Sequence, residues 1–105
     1  MEEVIKRLIK FRDDRNWKQF HTPNNLAKSI AIESSELLIN YQFGDAYFDI
    51  ENVKDELSDI MAYCFMLCEH YGFDLKEIMN NKIDKNEKKY PIDKAFGKAN
   101  KYNKL

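Results

Sequence analysis

The stretch Asn52–Tyr71, NVKDELSDIMAYCFMLCEHY, decides the fold. Val53, Leu57, Ile60, Met61, Cys64, Leu67 and Cys68 recur at spacings of three and four, the period of a helix with one apolar face. Gly72 follows at once, where a glycine can end a helix in the left-handed conformation. With Phe65 added, apolar side chains cover well over half the circumference, more than one face of a small bundle requires. Such a helix is either central to the chain or shared with a second copy.

Working outward, three more segments carry the same period. The first runs from about Glu2 to Asp14, with Val4, Ile5, Leu8, Ile9 and Phe11 inward. The second opens at Thr22-Pro23, a good N-cap followed by a residue preset for the first helical turn. It carries Leu26, Ile30, Leu37 and Leu38 and is expected to end near Gly44. A polar connection, Asp45 to Glu51, leads to the stretch already quoted. Asp74-Leu75-Lys76-Glu77 resembles a capping box and opens a fourth helix, which stops before Pro91. Beyond Pro91 lies a basic tail with Lys94, Lys98, Lys101 and Lys104.

The 105 residues leave room for one core, so a single domain over 1–105 is expected, with 91–105 as its tail. Three Gly and two Pro are too few for an all-β fold rich in turns. The expected class is all-α, a four-helix bundle-like domain.

Basic and acidic residues number 17 and 18, so bulk electrostatic binding to nucleic acid or to a membrane is not expected. No run approaches the roughly 20 apolar residues of a membrane span. Met1–Arg7 mixes charges through its apolar positions, unlike a secretion signal. Cys64 and Cys68 lie four apart on one helix, a poor geometry for a disulfide, and read as free thiols of a reducing cytoplasm.

The chemistry concentrates on helices two and three. Glu33-Ser34-Ser35-Glu36 and Glu56-Leu57-Ser58-Asp59 are each an acid-x-x-acid pair. A spacing of three leaves two side chains about 60° apart on a helix. Leu26, Ile30 and Leu37 lie within about 60° of Glu33, so Glu33 stands in the apolar stripe. Four carboxylates aimed at one helix–helix interface repel and lose hydration unless a cation or protons are taken up. A hard divalent ion with oxygen ligands resolves the conflict. The same acids could instead be solvated and paired with Lys28, Lys54 or Lys76. Di-iron carboxylate bundles need Glu-x-x-His pairs, and His70 stands at a non-matching spacing from Asp59. An all-oxygen Mg²⁺ or Mn²⁺ site fits better, and its usual task is phosphoryl or nucleotidyl chemistry.

Glu33-x-x-Glu36 followed by Glu56-x-x-Asp59 resembles the acidic signature of the MazG-like all-α nucleoside triphosphate pyrophosphohydrolases. Asn16-Trp17-Lys18-Gln19-Phe20-His21, Asn25-Leu26, Tyr41-Gln42-Phe43, Lys82-x-x-x-Asn86-x-x-Lys89-Tyr90-Pro91 and Lys101-Tyr102 resemble its small dCTP pyrophosphatase branch. The resemblance runs from Arg12 to Leu105. It implies a Mg²⁺-dependent enzyme, with Mn²⁺ able to substitute, that hydrolyses a nucleoside triphosphate to the monophosphate and pyrophosphate. Water attacks the α-phosphorus in such enzymes.

By the same resemblance Glu33, Glu36, Glu56 and Asp59 are the metal ligands and catalytic acids, with Glu33 or Glu36 available to activate water. Trp17, Phe20 and His21 are expected to line the base and sugar pocket. Phe43 stands where the branch usually carries Trp, and Leu8 where some relatives carry His. Tyr63 follows Asp59 by four residues and can reach the sugar or a phosphate, or be an ordinary buried tyrosine. Lys82, Asn86 and Lys89 offer donors to phosphate, and Lys101 and Tyr102 could close over a nucleotide in a neighbouring subunit. Assembly into homodimers or homotetramers is implied as well. The rival reading is a non-catalytic acidic helical module that binds nucleotides or partners without turnover.

Overall fold

A computed structural model describes residues 1–105 and contains helices and turns with no strand. The helices are α1 (Glu2–Asp14), α2 (Pro23–Ile39), α3 (Ile50–Tyr71), α4 (Leu75–Lys89) and a short α5 (Ile92–Ala95). Single 3₁₀ turns occupy Lys18–Phe20 and Tyr102–Lys104. The chain falls into two compact units, Met1–Gly72 and Phe73–Leu105.

The first unit holds α1, α2 and α3. Its ends are set by local chemistry. Thr22 accepts the Asn25 backbone N–H at 3.2 Å through its hydroxyl, with Pro23 in the first turn of α2. Asp49 accepts the N–H groups of Glu51 and Asn52 and so caps α3. Gly72 ends α3 at φ 69°, ψ 25°, a left-handed conformation that costs a residue without Cβ nothing.

The expectation for the end of α2 is corrected. The helix stops at Ile39, not near Gly44. The N–H groups of Asn40, Tyr41 and Gln42 reach back three residues, to Leu37, Leu38 and Ile39, and tighten the chain out of the α-helix. Side-chain bonds of Asn40 explain why it turns there. Its Nδ2 donates to Leu37 O and to Asn52 Oδ1, and its Oδ1 accepts the Asp49 N–H. The partner across the turn therefore ends the helix.

α2 and α3 form the main packed pair of this unit, an antiparallel hairpin, and α1 meets α3 far more sparingly. The buried apolar core is thin: Leu26, Val53, Phe65 and Met66. Val4, Leu57 and Met61 remain largely exposed. With Met1, Leu8 and Phe65 they line an open apolar groove of about 500 Å³ between α1 and α3.

The second unit holds α4, α5 and the final 3₁₀ turn. Asp74 Oδ1 accepts the Glu77 N–H at 3.2 Å and caps α4. The tail expected from residue 91 onward contains α5, begun by Pro91, whose carbonyl accepts from Lys94 and Ala95. Tyr90 and Tyr102 meet edge to face with centroids 6.2 Å apart, and Lys89 Nζ lies 5.1 Å from the Tyr102 ring. The end of the chain thus turns back onto the exit of α4.

Candidate functional site

Glu33 projects from the middle of α2 toward α3, where Glu56 and Asp59 stand one helical turn apart. One carboxylate oxygen from each of the three lies within 4.8 Å of the others. Glu56 is buried and Glu33 half-buried. Oε2 of Glu33 and Oε2 of Glu56 are both shielded from solvent without a hydrogen-bond partner. Two ionised carboxylates have no donor to share, so the pair is left unsatisfied until a proton or a cation enters.

The electrostatics have the same origin. The Glu33 carboxyl is pushed up to about 7, first by the hydrogen bond it can make to Glu56 when protonated, then by burial. The charges of Glu36, Glu56 and Asp59 add to this. Burial, with Glu56 and Asp55 nearby, also raises Asp59. Basic residues of this unit offer no relief. Its ion pairs are Lys10–Asp14, Arg12–Asp13, Arg12–Glu69 and Lys54–Glu51, and none involves the acids of the two motifs. Lys54, one of the lysines considered as a partner, is taken by Glu51.

Three crowded carboxylates, with two buried oxygens lacking partners, fit a hard divalent cation: every donor is oxygen and the uncompensated charge is negative. Glu36 lies one turn beyond Glu33 on α2. Its charge reaches Glu33, but its oxygens lie outside the group of three.

Beside the acids is a cavity of about 270 Å³ lined by Leu8, Phe11, Trp17, His21, Asp59, Ala62, Tyr63 and Met66. Asp59 belongs both to the acidic group and to this wall. Trp17 stands edge-on to Phe11 with centroids 5.7 Å apart, and His21 edge-on to Tyr63 at 6.3 Å. Burial, then the charge of Arg12, hold the His21 imidazole below its ordinary value and so favour its neutral form. Its Nδ1 is buried without a partner. Tyr63 bonds to Ser29, and burial followed by the charges of Glu33 and Asp59 raises its phenol. The cavity therefore offers flat aromatic walls, a free imidazole nitrogen and a carboxylate at one edge.

Trp17, His21, Tyr63 and Leu8 are gathered here with Asp59. Phe20 and Phe43 are not in this wall; they are 59% and 76% exposed. Lys82, Asn86, Lys89, Lys101 and Tyr102 belong to the second unit, where Lys82, Asn86 and Lys89 follow one broad face of α4.

Phe11, Ala62, Met66, Ser29 and the buried Arg12 are part of this environment without having been singled out in the sequence. Phe11, Ala62 and Met66 are indistinguishable there from core residues. Arg12 meets Glu69, 57 positions away, and no local spacing signals that.

Comparison with known proteins gives a single direction. The MazG-like family pattern matches residues 26–105. dCTP pyrophosphatase 1 of Bos taurus is 31% identical over all of this chain and 68% of its own length. The Mus musculus protein of the same name is 30% identical over all of this chain and 67% of its own. A pyrophosphatase crystal structure from Archaeoglobus fulgidus superposes with a TM-score of 0.81 at 39% identity, covering 87% of this chain and 92% of that one.

Proposed function

Since the chain belongs to the MazG-like family and is a nucleoside triphosphate pyrophosphohydrolase, we propose that it hydrolyses its substrate at the α-phosphorus with the acids of α2 and α3. One observation carries this reading. Asp59 is shared by the acidic group and the aromatic cavity, so a base held between Trp17 and Tyr63 has its phosphates at the carboxylates.

Glu33, Glu56 and Asp59 would hold Mg²⁺, with Mn²⁺ as a substitute. When bound, such a cation neutralises phosphate charge and lowers the pKa of water. Glu36, outside the group of three, is assigned to orient the attacking water and accept its proton. The water oxygen bonds to the α-phosphorus, and the bond from that phosphorus to the α,β-bridging oxygen breaks. Pyrophosphate leaves with the electron pair, and the products are the monophosphate and pyrophosphate. No side chain is needed as a nucleophile.

Trp17 and Tyr63 bracket the base, and neutral His21 meets it through the Nδ1 that lacks a partner. Likeness to dCTP pyrophosphatases supports dCTP or a related pyrimidine nucleotide as the preferred substrate. Phe43 in place of the branch's Trp keeps an aromatic face but lacks the indole donor. Likeness to the family supports a phosphate-binding role for Lys82, Asn86 and Lys89, and for Lys101 and Tyr102 a role in closing over a nucleotide in a neighbouring subunit. Assembly into a dimer or tetramer is supported by exposed Val4, Leu57 and Met61 along one groove. The free thiols Cys64 and Cys68 suit a reducing cytoplasm, and no helix is long and apolar enough to cross a membrane.

A panel of nucleoside triphosphates incubated with Mg²⁺, with products separated by chromatography, tests the proposal. Monophosphate with pyrophosphate is expected, fastest for dCTP or a close pyrimidine relative. Diphosphate with orthophosphate, or no turnover of any nucleotide, contradicts it.

A further inference from the structure

Arg12 and Glu56 are the buried charged residues of the chain. Glu56 belongs to the acidic group; Arg12 has no part in the chemistry assigned so far. Its side chain is 3% exposed, and burying a guanidinium is costly unless its donors are matched. Nη1 donates to Glu69 Oε2 on α3 at 2.9 Å, and Nε donates to Asp13 Oδ1 at 2.9 Å. The first bond joins the last turn of α1 to α3. The backbones of these two helices approach closely at few points, so this polar joint helps to hold the end of α1.

The same residue governs the chain that follows. The Arg12 carbonyl accepts the N–H of Arg15 at 3.2 Å and of Trp17 at 3.1 Å. Between them Asn16 takes φ 55°, the left-handed conformation that asparagine tolerates better than most residues. Phe20 N–H then donates to Trp17 O, and His21 N–H to Lys18 O. Side chain and backbone of Arg12 thus link Glu69 on α3 to the turns that present Trp17 and His21. These face Tyr63 and Ala62, which stand on α3 itself.

We propose that the Arg12–Glu69 pair is a positioning clamp for the nucleoside pocket, setting the Phe11–Trp17 wall against the α3 wall. This rests on reading the cavity as the base site. Aromatic contact with a base is short-range, so a wall released from α3 loses affinity for the nucleoside. Glu33, Glu36, Glu56 and Asp59 stand on α2 and α3, whose packing does not involve Arg12. Chemistry at the phosphates is therefore spared. Lysine at position 12 keeps the charge but cannot span Glu69 and Asp13 together.

The test uses Arg12→Lys and the milder Glu69→Gln, whose amide oxygen still accepts one hydrogen bond. The chain has a single tryptophan, Trp17, so its fluorescence reports directly on the wall. Titration of wild type with deoxycytidine, which carries no phosphate to meet the acids, should change Trp17 emission in EDTA. In Arg12→Lys KM for dCTP with Mg²⁺ should rise about tenfold, as expected for weakening a buried charged hydrogen bond, and in Glu69→Gln, which keeps one neutral hydrogen bond, it should rise about threefold. Their kcat should stay within about twofold of wild type, because the loss is in binding common to ground and transition states. Trp17 emission of the free variants should move toward that of a solvated indole. An unchanged KM in folded Glu69→Gln, or a fall in kcat as large as the rise in KM, overturns the clamp while the base site stands. Wild-type Trp17 emission unmoved by saturating deoxycytidine overturns the base site and the clamp with it.

Discussion

Asn40 donates its side-chain amide to Asn52 Oδ1 at 2.8 Å, and it lies as many positions beyond Glu33 as Asn52 lies before Asp59. In an antiparallel hairpin, equal intervals from a fixed pair bring two residues level. The clasp at the mouth of the hairpin therefore sets the register in which the α2 acid meets the α3 acids. Asn40→Ala removes this bond together with those to Leu37 O and the Asp49 N–H. Stability is expected to fall by roughly 1 to 3 kcal/mol, since each of the three hydrogen bonds is worth about 1 kcal/mol net. Turnover and Mg²⁺ affinity should fall further than that loss alone explains. Denaturant melts and a Mg²⁺ titration of activity measure the two effects.

Crowding of the carboxylates predicts an inverted pH dependence of stability when divalent cations are chelated. Glu33 stands near 4.5 in the unfolded chain and about 7 in the folded one. Below the lower value both states hold the proton. Between the two, only the folded state does, so stability falls as pH rises through this window and levels off above it. Melting temperature in EDTA should drop from pH 4.5 to pH 7, and Glu33→Gln should flatten that part of the curve. A melting temperature that rises through the same window in wild type contradicts the crowding.

Removing an acid should separate activity from stability. Glu56→Ala and Asp59→Ala are expected to abolish turnover or reduce it severely while the chain stays folded. Without Mg²⁺ their stability should equal or exceed that of wild type, since like charges are removed from one another. Stabilisation by added Mg²⁺ should shrink, because binding to the folded state is what supplies it. Near-normal turnover in both variants would remove these residues from the site.

Much of this could be read from residues that act locally. Thr22-Pro23, Gly72 and Asp74 mark helix ends through bonds to their near neighbours, and each lies at the boundary its chemistry implies. Glu33 against an apolar stripe and the two acidic pairs showed where a buried charge conflict must lie. The end of α2 was not legible, because Asn40 is turned by Asn52 and Asp49 across the connection. Arg12 carries no local signal of its role, because its partner Glu69 is brought to it only by the fold. The short helix after Pro91 was concealed by the density of lysines around it.

For the pocket, Trp17→Ala is expected to raise KM for dCTP more than it lowers kcat, since stacking holds ground and transition states alike. Phe43→Trp should retain activity and sharpen preference for cytosine. Initial-rate kinetics on dCTP, dUTP and dTTP measure both. A Trp17→Ala enzyme with wild-type KM for each nucleotide places the base elsewhere.

Attack at the α-phosphorus is the central claim, and hydrolysis in ¹⁸O-labelled water tests it most directly. One turnover of dCTP with Mg²⁺ should deliver the label to the nucleoside monophosphate and leave the pyrophosphate unlabelled. Label in the pyrophosphate, which places the attack on the β-phosphorus, would contradict the account.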